Sequence, residues 1–444
     1  MSSLPLTTRR PDEVLALRHG QAMTVGRFLY QARALADELN GRGQIINLCS
    51  DRYAFSVAFA GALIAGATNL LPGNRLSGTI DGLLERYPRS RIVSDVPHPD
   101  LPHPYLDPGS HLQLESDLLQ VPGIDGKQLA AVVFTSGSTG QASRIDKPWR
   151  TLYESSLVNA AEFGRGRDIR HALATVPPQH MWGLETSVLL PWFAPLVMAS
   201  DQPFYVPDIV EALELLPPPR VLVSTPVHLR AVVDSQAALP TIERVFSSTA
   251  PLGLKLARAL EHQCGGQVIE IYGCSETGCL ARRRAAEDAP WTLFEVFELS
   301  SQDDRHVAHA AHLPEPVALM DRLDIAADGR FRLLGRNSDL VNIGGKRASL
   351  ADLTQQLLDI PGVIDGAIFQ PPDQSDGPVT RLAALVVAPD LDTRQLRLAL
   401  AQRIDPAFMP RPLKRVETLP RSASGKLPKR ELFELYQRSA TVAT

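Results

Sequence analysis

Residues 131–140 read Ala-Val-Val-Phe-Thr-Ser-Gly-Ser-Thr-Gly. The apolar tetrapeptide Ala131–Phe134 has the texture of a short buried strand. The hexapeptide Thr135–Gly140 that follows contains two glycines, which let a backbone approach a ligand closely, and hydroxyl side chains that add donors. Successive N–H groups of such a loop can wrap phosphate oxygens. No Gly-Lys-Ser/Thr follows, so this is not a Walker A loop. Taken alone, the hexapeptide is equally well a plain Ser/Gly/Thr turn.

On either side of this stretch, short apolar runs alternate with helical patterns. Gln44–Leu48, Arg91–Ser94, Val221–Ser224, Arg244–Phe246 and Val268–Tyr272 read as buried strands. Trp149–Phe163 and Leu252–Gln263 read as helices. Such alternation predicts an α/β fold of mostly parallel sheets covered by helices. From Trp291 the texture changes to short strands joined by turns, at Leu293–Leu299, Val317–Leu319 and Phe331–Leu334, a small β-subdomain. After Gly335-Arg336 a smaller α+β unit begins, about 105 residues long and large enough for its own core. It has helices at Leu350–Leu358, Thr393–Arg403 and Lys429–Gln437, with strands at Ala367–Phe369 and Leu382–Val387. The expected division is therefore residues 1–337 and 338–444.

Composition bounds the function. A chain of 444 residues with 44% hydrophobic and 21% charged residues is an ordinary globular one, of two or three domains. The 45 basic and 49 acidic residues give a net charge of −4, so no chain-wide basic field favours nucleic acid. The 36 prolines argue against a helical bundle. Four cysteines without a CxxC pair fit a reducing, cytoplasmic setting rather than a disulfide framework or zinc site. Ala54–Leu71 reaches the length of a short membrane span, but its alanine–glycine steps, Asn69 and the Pro72-Gly73 stop read as a core helix feeding a strand. His306, His309 and His312 invite a metal reading on a helix face, but they fall in the turn-rich region, where a solvated loop is expected.

Three further motifs carry chemistry. Ile271-Tyr272-Gly273-Cys274-Ser275-Glu276-Thr277-Gly278 follows a strand, where open α/β sheets bind ligands. A carboxylate beside hydroxyls suits Mg²⁺ held between protein and phosphate; alone, the motif is also a helix start capped by Ser275. Asp321 is followed by Asp328-Gly329, Gly335–Asp339 and Gly344–Arg347. Pro420-Arg421-Ser422-Ala423-Ser424-Gly425-Lys426 sets a lysine on a Ser-Gly loop, from which it can enter a site as a mobile cation.

In this order and spacing, the motifs resemble those of the adenylate-forming (ANL) superfamily of acyl- and aryl-acid ligases, over residues 25–437. The resemblance implies a large N-terminal domain with ATP and acid sites, and a small mobile C-terminal domain that carries the catalytic lysine. It implies phosphate contacts from Thr135, Ser136, Gly137, Ser138, Thr139 and Gly140. It puts Ala250, Pro251, Tyr272 and Gly273 at adenine, and Ser275 at phosphate. Glu276 would hold Mg²⁺, Asp321, with Asp324 as the alternative acid, would bind ribose, and Arg336 would reach ribose or phosphate. His180, in Gln179–Glu185 (QHMWGLE), falls beside an acid pocket lined by Trp182, Gly183, Cys274 and Ser247. Asp339 is the hinge, and Lys426 bridges carboxylate and α-phosphate.

The implied substrates are ATP with Mg²⁺, a carboxylic acid, and a 4′-phosphopantetheine thiol on an acyl carrier protein or on CoA. QHMWGLE and the short chain look most like stand-alone ligases of aryl-polyene and xanthomonadin-type pigment pathways, which load a hydroxybenzoate onto a carrier. Basic clusters at Arg282–Arg284 and Lys429-Arg430 would steer an acidic carrier. Ala142 and Ser143 depart from the family, standing where proline and lysine are usual. Lys147 is a candidate substitute, and the same departure supports a non-catalytic scaffold as the contrasting reading.

Overall fold

The apolar stretch after residue 51 forms the centre of the molecule. Asp51 caps the Arg52–Ile64 helix by accepting from Ala54 N–H, and every residue from Arg52 to Leu63 is buried. A helix apolar on all sides has no face for water and must be enclosed. It touches strands of both large sheets, packing Phe55 and Phe59 into the main core. Buried Arg52 donates to the carbonyls of Ala174 and Val176, both at 2.9 Å, and to the Ser187 hydroxyl. The chain continues into the Thr68–Leu71 strand, as the sequence pattern predicts. None of the described helices is long and apolar enough to cross a membrane.

This computed structural model describes residues 3–40, 43–98, 103–136, 142–163, 170–302, 305–336, 339–343, 346–371, 381–422 and 425–441. Among them, one six-stranded sheet runs in the order Ala142–Pro148, Leu129–Ser136, Thr68–Leu71, Gln44–Asn47, Arg91–Val93, Tyr105–Leu106. It is parallel except at its first edge. A nine-stranded sheet has a parallel centre from Gln267–Cys274 across to Val14–Arg18, with antiparallel strands at both edges. Helices cover these sheets, and short antiparallel hairpins follow at Glu298–His309 and Asp321–Arg336. This is the α/β architecture expected, with a small β part and then an α+β part.

Beyond Asp339, the chain builds a separate core from Val341, Leu357, Val386 and Leu396. Its three-stranded sheet pairs Asp365–Phe369, Ala383–Val387 and Leu413–Arg415. The closing Lys429–Thr441 helix covers the other face through Leu432 and Phe433.

The structure departs from the sequence expectations in three places. Leu293–Leu299 is not one strand: Thr292–Leu293 ends on the large sheet and Glu298–Gln302 starts a hairpin. Phe294 and Phe297 both enter one core, and three-residue spacing reaches a single face only through a turn. Ahead of the Trp149–Phe163 helix lies a strand that the sequence pattern left unassigned. The Ala142–Pro148 strand comes first and returns antiparallel, with Ser143 opposite Thr135. His306 and His309 lie on a strand rather than on a helix face or in a loop. Their partners are the Leu323 carbonyl and the Ser300 hydroxyl, while His312 packs on Phe297. No group of three or more His, Cys, Asp or Glu that could hold a metal ion appears among the described residues.

Candidate active site

The site begins where the Gln267–Cys274 strand leaves the large sheet. Tyr272 projects there, and its hydroxyl donates to Asp321 Oδ2 at 3.0 Å. Trp291 and Phe331 hold the ring, with centroids at 5.6 and 6.0 Å. Two residues separated by 49 positions, and singled out independently in the sequence, thus meet. Asp321 lies opposite Arg336 in the Asp321–Arg336 hairpin, so that arginine's backbone is also brought to this corner. The alternative acid, Asp324, is exposed on the same strand.

A second wall comes from Ser247–Pro251. The Ser248 hydroxyl donates to the Ile271 carbonyl at 2.9 Å, tying this loop to the tyrosine strand. Glu270 reinforces it, accepting from Leu252 N–H at 2.8 Å and pairing with Arg283 at 2.6 Å. Burial pushes the Glu270 carboxyl up, and Arg283 opposes that shift. Thr249 has a φ of 82°, a left-handed conformation unusual for a β-branched residue.

Ser275 does not cap a helix. Cys274–Gly278 instead turns the chain into the Gly278–Arg284 strand. Thr277 Oγ1 accepts from Cys274 N–H at 3.2 Å, and Gly278 takes a φ of 72°. Gly273 must lack a side chain, because a Cβ there would lie 2.1 Å from the Gly278 carbonyl oxygen. The turn leaves the Glu276 side chain exposed and Ser275 half-buried.

The QHMWGLE segment supplies the third wall. His180 precedes the Met181–Gly183 helical turn, which passes into a π-helical turn over Leu184–Leu189, a form found often at functional sites. Trp182 is buried and donates its indole N–H to Ser224 O at 3.2 Å. Gly183 presses on Pro177, whose carbonyl oxygen would be 2.0 Å from an added Cβ. Trp182 shares a core with Phe246, Ile271 and Cys279, so the expected pocket segments converge. Cys274 is half-buried and contacts Thr277.

His180 is held down to about pKa 4, first by burial and then by Lys426 and Arg75. Lys426, from the far end of the sequence, thus lies near enough to His180 to add to that depression. Its loop is shaped by bonds from Ser422 N–H to Lys426 O and from Gly425 N–H to Ser422 O, both 2.8 Å. Gly425, at φ 77°, rests against Thr225 and Val227. Arg421 clamps the loop's base to Asp365 through two bonds of 2.6 Å. Asp339 lies 3.6 Å from Lys429.

Several buried polar atoms in these walls lack a partner among the described residues: Gln179 Oε1, His180 Nε2, Ser247 Oγ and Thr249 Oγ1. Unsatisfied buried groups are costly, and a ligand would complete them. Together with the exposed Glu276 carboxylate, they fit a polar nucleotide and its divalent cation. Thr135 and Ser136 end the Leu129–Ser136 strand, while Gly137, Ser138, Thr139 and Gly140 lie outside the described residues.

Sequence reasoning missed Glu185 and offered Lys147 only as a candidate substitute. Lys147 is buried and donates to the Glu276 carbonyl at 2.7 Å. Glu185 is buried beside it, and its Oε2 accepts from Cys279 N–H at 3.0 Å. A lone carboxylate inside Met181–Phe193, an otherwise apolar or hydroxylic run, was the available signal. The expected docking arginines are also otherwise engaged. Arg282 pairs with Glu162 at 2.9 Å, Arg283 with Glu270 at 2.6 Å and Arg284 with Glu261 at 3.1 Å. Arg430 pairs with Glu434 at 2.9 Å.

Residues 80–296 match the family of AMP-binding enzymes. A 4-coumarate–CoA ligase of Rhodobacter capsulatus is 31% identical over 238 residues, covering 52% of this chain and 58% of that protein, less than two thirds of its length. A 3,4-dihydroxybenzoate–[aryl-carrier protein] ligase of Bacillus anthracis is 20% identical over 311 residues, 68% of this chain and 73% of the relative. Among solved structures, the anthranilate CoA ligase AuaEII in complex with anthranoyl-AMP superposes with a TM-score of 0.81 at 18% identity, covering 99% of both chains. The chain thus has the fold of these ligases, and its residues 80–296 resemble AMP-binding enzymes.

Proposed function

We propose that this chain activates a carboxylic acid with ATP to an acyl-adenylate and then passes the acyl group to a phosphopantetheine thiol. The observation that carries this reading is the meeting of Tyr272 with Asp321 at 3.0 Å, with Lys426 near enough to bear on His180. Tyr272, Gly273, Ala250 and Pro251 would hold adenine, and Asp321 with Arg336 the ribose. Thr135, Ser136, the loop to Gly140 and Ser275 would hold phosphates, and Glu276 would hold Mg²⁺. The ion, when bound, neutralises phosphate charge.

The chemistry asks an anionic carboxylate to attack an anionic α-phosphate. Lys426 offsets the charge that builds up as pyrophosphate leaves. Neutral His180 offers a contact beside it without a second positive charge. The part beyond Asp339 then swings about that residue, withdrawing Lys426 and admitting the pantetheine arm. Residues 1–337 and 338–444 are the units of this motion.

An aryl acid of the hydroxybenzoate type fits a pocket formed by Trp182, Gly183, Cys274 and Ser247, and both curated relatives named above act on aryl acids. A carrier protein is the favoured acceptor on the likeness of QHMWGLE to the pigment-pathway ligases. The cytoplasm, where ATP and reduced pantetheine occur together, is the setting. Free CoA is the second reading, favoured by the R. capsulatus relative and by the inward pairing of Arg282–Arg284.

Pyrophosphate exchange across a panel of acids, followed by both thiol acceptors, tests all of this. Exchange with hydroxybenzoates and transfer to a carrier are expected. Absence of exchange with every acid leaves a non-catalytic scaffold.

A further inference from the structure

Two buried charges of opposite sign lie beneath the turn that carries Glu276. Lys147, 2% exposed near the end of the Ala142–Pro148 strand, reaches across the site with its Nζ 2.7 Å from the Glu276 carbonyl oxygen. Glu185, 1% exposed in the π-helical turn, accepts from Cys279 N–H at 3.0 Å and from its Sγ at 3.4 Å. Glu185 is also Lys147's foremost charge partner. Gly278 leaves room for this arrangement, since a Cβ there would lie 2.3 Å from Glu185 Oε1. The turn is therefore gripped at the carbonyl of residue 276 and at the N–H of residue 279. The Glu276 carboxylate stays exposed above, beside the Cys274 thiol.

We infer that Lys147 is a positioning residue, which with Glu185 fixes the backbone of Glu276 so that its carboxylate is preset for the divalent cation. This rests on the proposed function, in which Glu276 holds Mg²⁺. A buried ammonium is tolerated only when its donors and charge are answered. Here one bond goes to the backbone of the very residue whose side chain must be aimed. Displacing a reacting arrangement by about 1 Å can cost about a hundredfold in rate. Lys147 thus does not take over the role of the lysine missing at Ser143. It acts on the same reaction from beneath, through the protein.

The test uses Lys147→Met and the double variant Lys147→Met/Glu185→Gln, assayed in the full-length chain by pyrophosphate exchange. Removing Lys147 alone strands a buried carboxylate, and the double variant removes both charges at nearly constant volume. In the double variant, the half-saturating Mg²⁺ concentration should rise by about tenfold or more, with the acid KM within about twofold of wild type. The extra thermal stabilisation by Mg·ATP over ATP with chelator should shrink in parallel, a readout independent of turnover. A double variant with wild-type Mg²⁺ dependence overturns the inference, because Lys147 then only neutralises Glu185. Equal losses for the acid and the metal also overturn it, marking a general structural role. If wild type itself shows no exchange with any acid, the functional reading falls, and this inference with it.

Discussion

Two lysines of this chain put the same ammonium to opposite uses. Lys147 lies under the Glu276 turn, buried, and bonded to a backbone carbonyl at 2.7 Å. Lys426 is exposed on a Ser-Gly loop whose glycine merely rests against Thr225 and Val227. One is locked into the edge strand of the six-stranded sheet, while the other belongs to a separately cored unit and, in the proposed cycle, arrives at the site by docking. On that proposal the contrast separates fixed charge from charge that can leave. A fixed cation can hold geometry through both steps of a ligase cycle, whereas a catalytic cation needed in the first step must be removable before the second.

The largest effect that could break this contrast is expected at Lys426. Lys426→Ala should lower pyrophosphate exchange by about 10²–10³-fold, the scale of losing one preorganised electrostatic contact in a transition state. Thiol transfer from preformed acyl-adenylate should change far less. Equal losses in both half-reactions would mean that Lys426 is as fixed as Lys147.

Next is the fixed side. Gly278→Ala forces a side chain into a left-handed backbone against Glu185, and should cost about 1–3 kcal/mol of stability, read as a lower melting temperature. An unchanged melting curve would show that the turn is looser than the structure has it. A smaller loss is expected for Tyr272→Phe, which removes only the hydroxyl bonded to Asp321. About 1 kcal/mol, or roughly a fivefold rise in the KM for ATP, is the scale of one such bond.

The subtlest prediction concerns His180, which reports on whether Lys426 is docked. Its pKa of about 4 lies below the ordinary 6.5, so the unfolded chain takes up this proton first. The stability contributed by neutral His180 is complete above about pH 6.5 and is lost as pH falls towards 4. Since Lys426 adds to the depression, Lys426→Ala should move the His180 titration upward, measured by NMR. A curve that does not move would place the lysine away from the histidine.

Much of the fold was legible because its signals are local. A continuous apolar run such as Ala54–Leu71 has few alternatives to burial, and strand–helix alternation specifies parallel sheets. The ends of Trp149–Phe163 and Leu350–Leu358 follow directly from their patterns. Phe294 and Phe297 misled because residue type gives apolarity but not the turn between them. The pair Tyr272 and Asp321, which the structure brings together, was marked in the sequence by motif and strand position. Lys147 and Glu185 were not, because their roles rest on each other across 38 positions and on a backbone carbonyl 129 residues away from Lys147. The ion pairs of charge clusters such as Arg282–Arg284 were hidden for the converse reason. Their partners, Glu162, Glu261 and Glu270, are distant or inconspicuous in the sequence but adjacent in space.

The central claim is adenylate formation, and the most direct measurement looks for that molecule. Purified protein incubated with ATP, Mg²⁺ and 4-hydroxybenzoate, without any thiol, should yield the hydroxybenzoyl-adenylate by mass spectrometry in near-stoichiometric amount, and Lys426→Ala should yield far less. Recovery of only unreacted ATP and acids, across hydroxybenzoates and other aryl and acyl acids alike, would contradict the account.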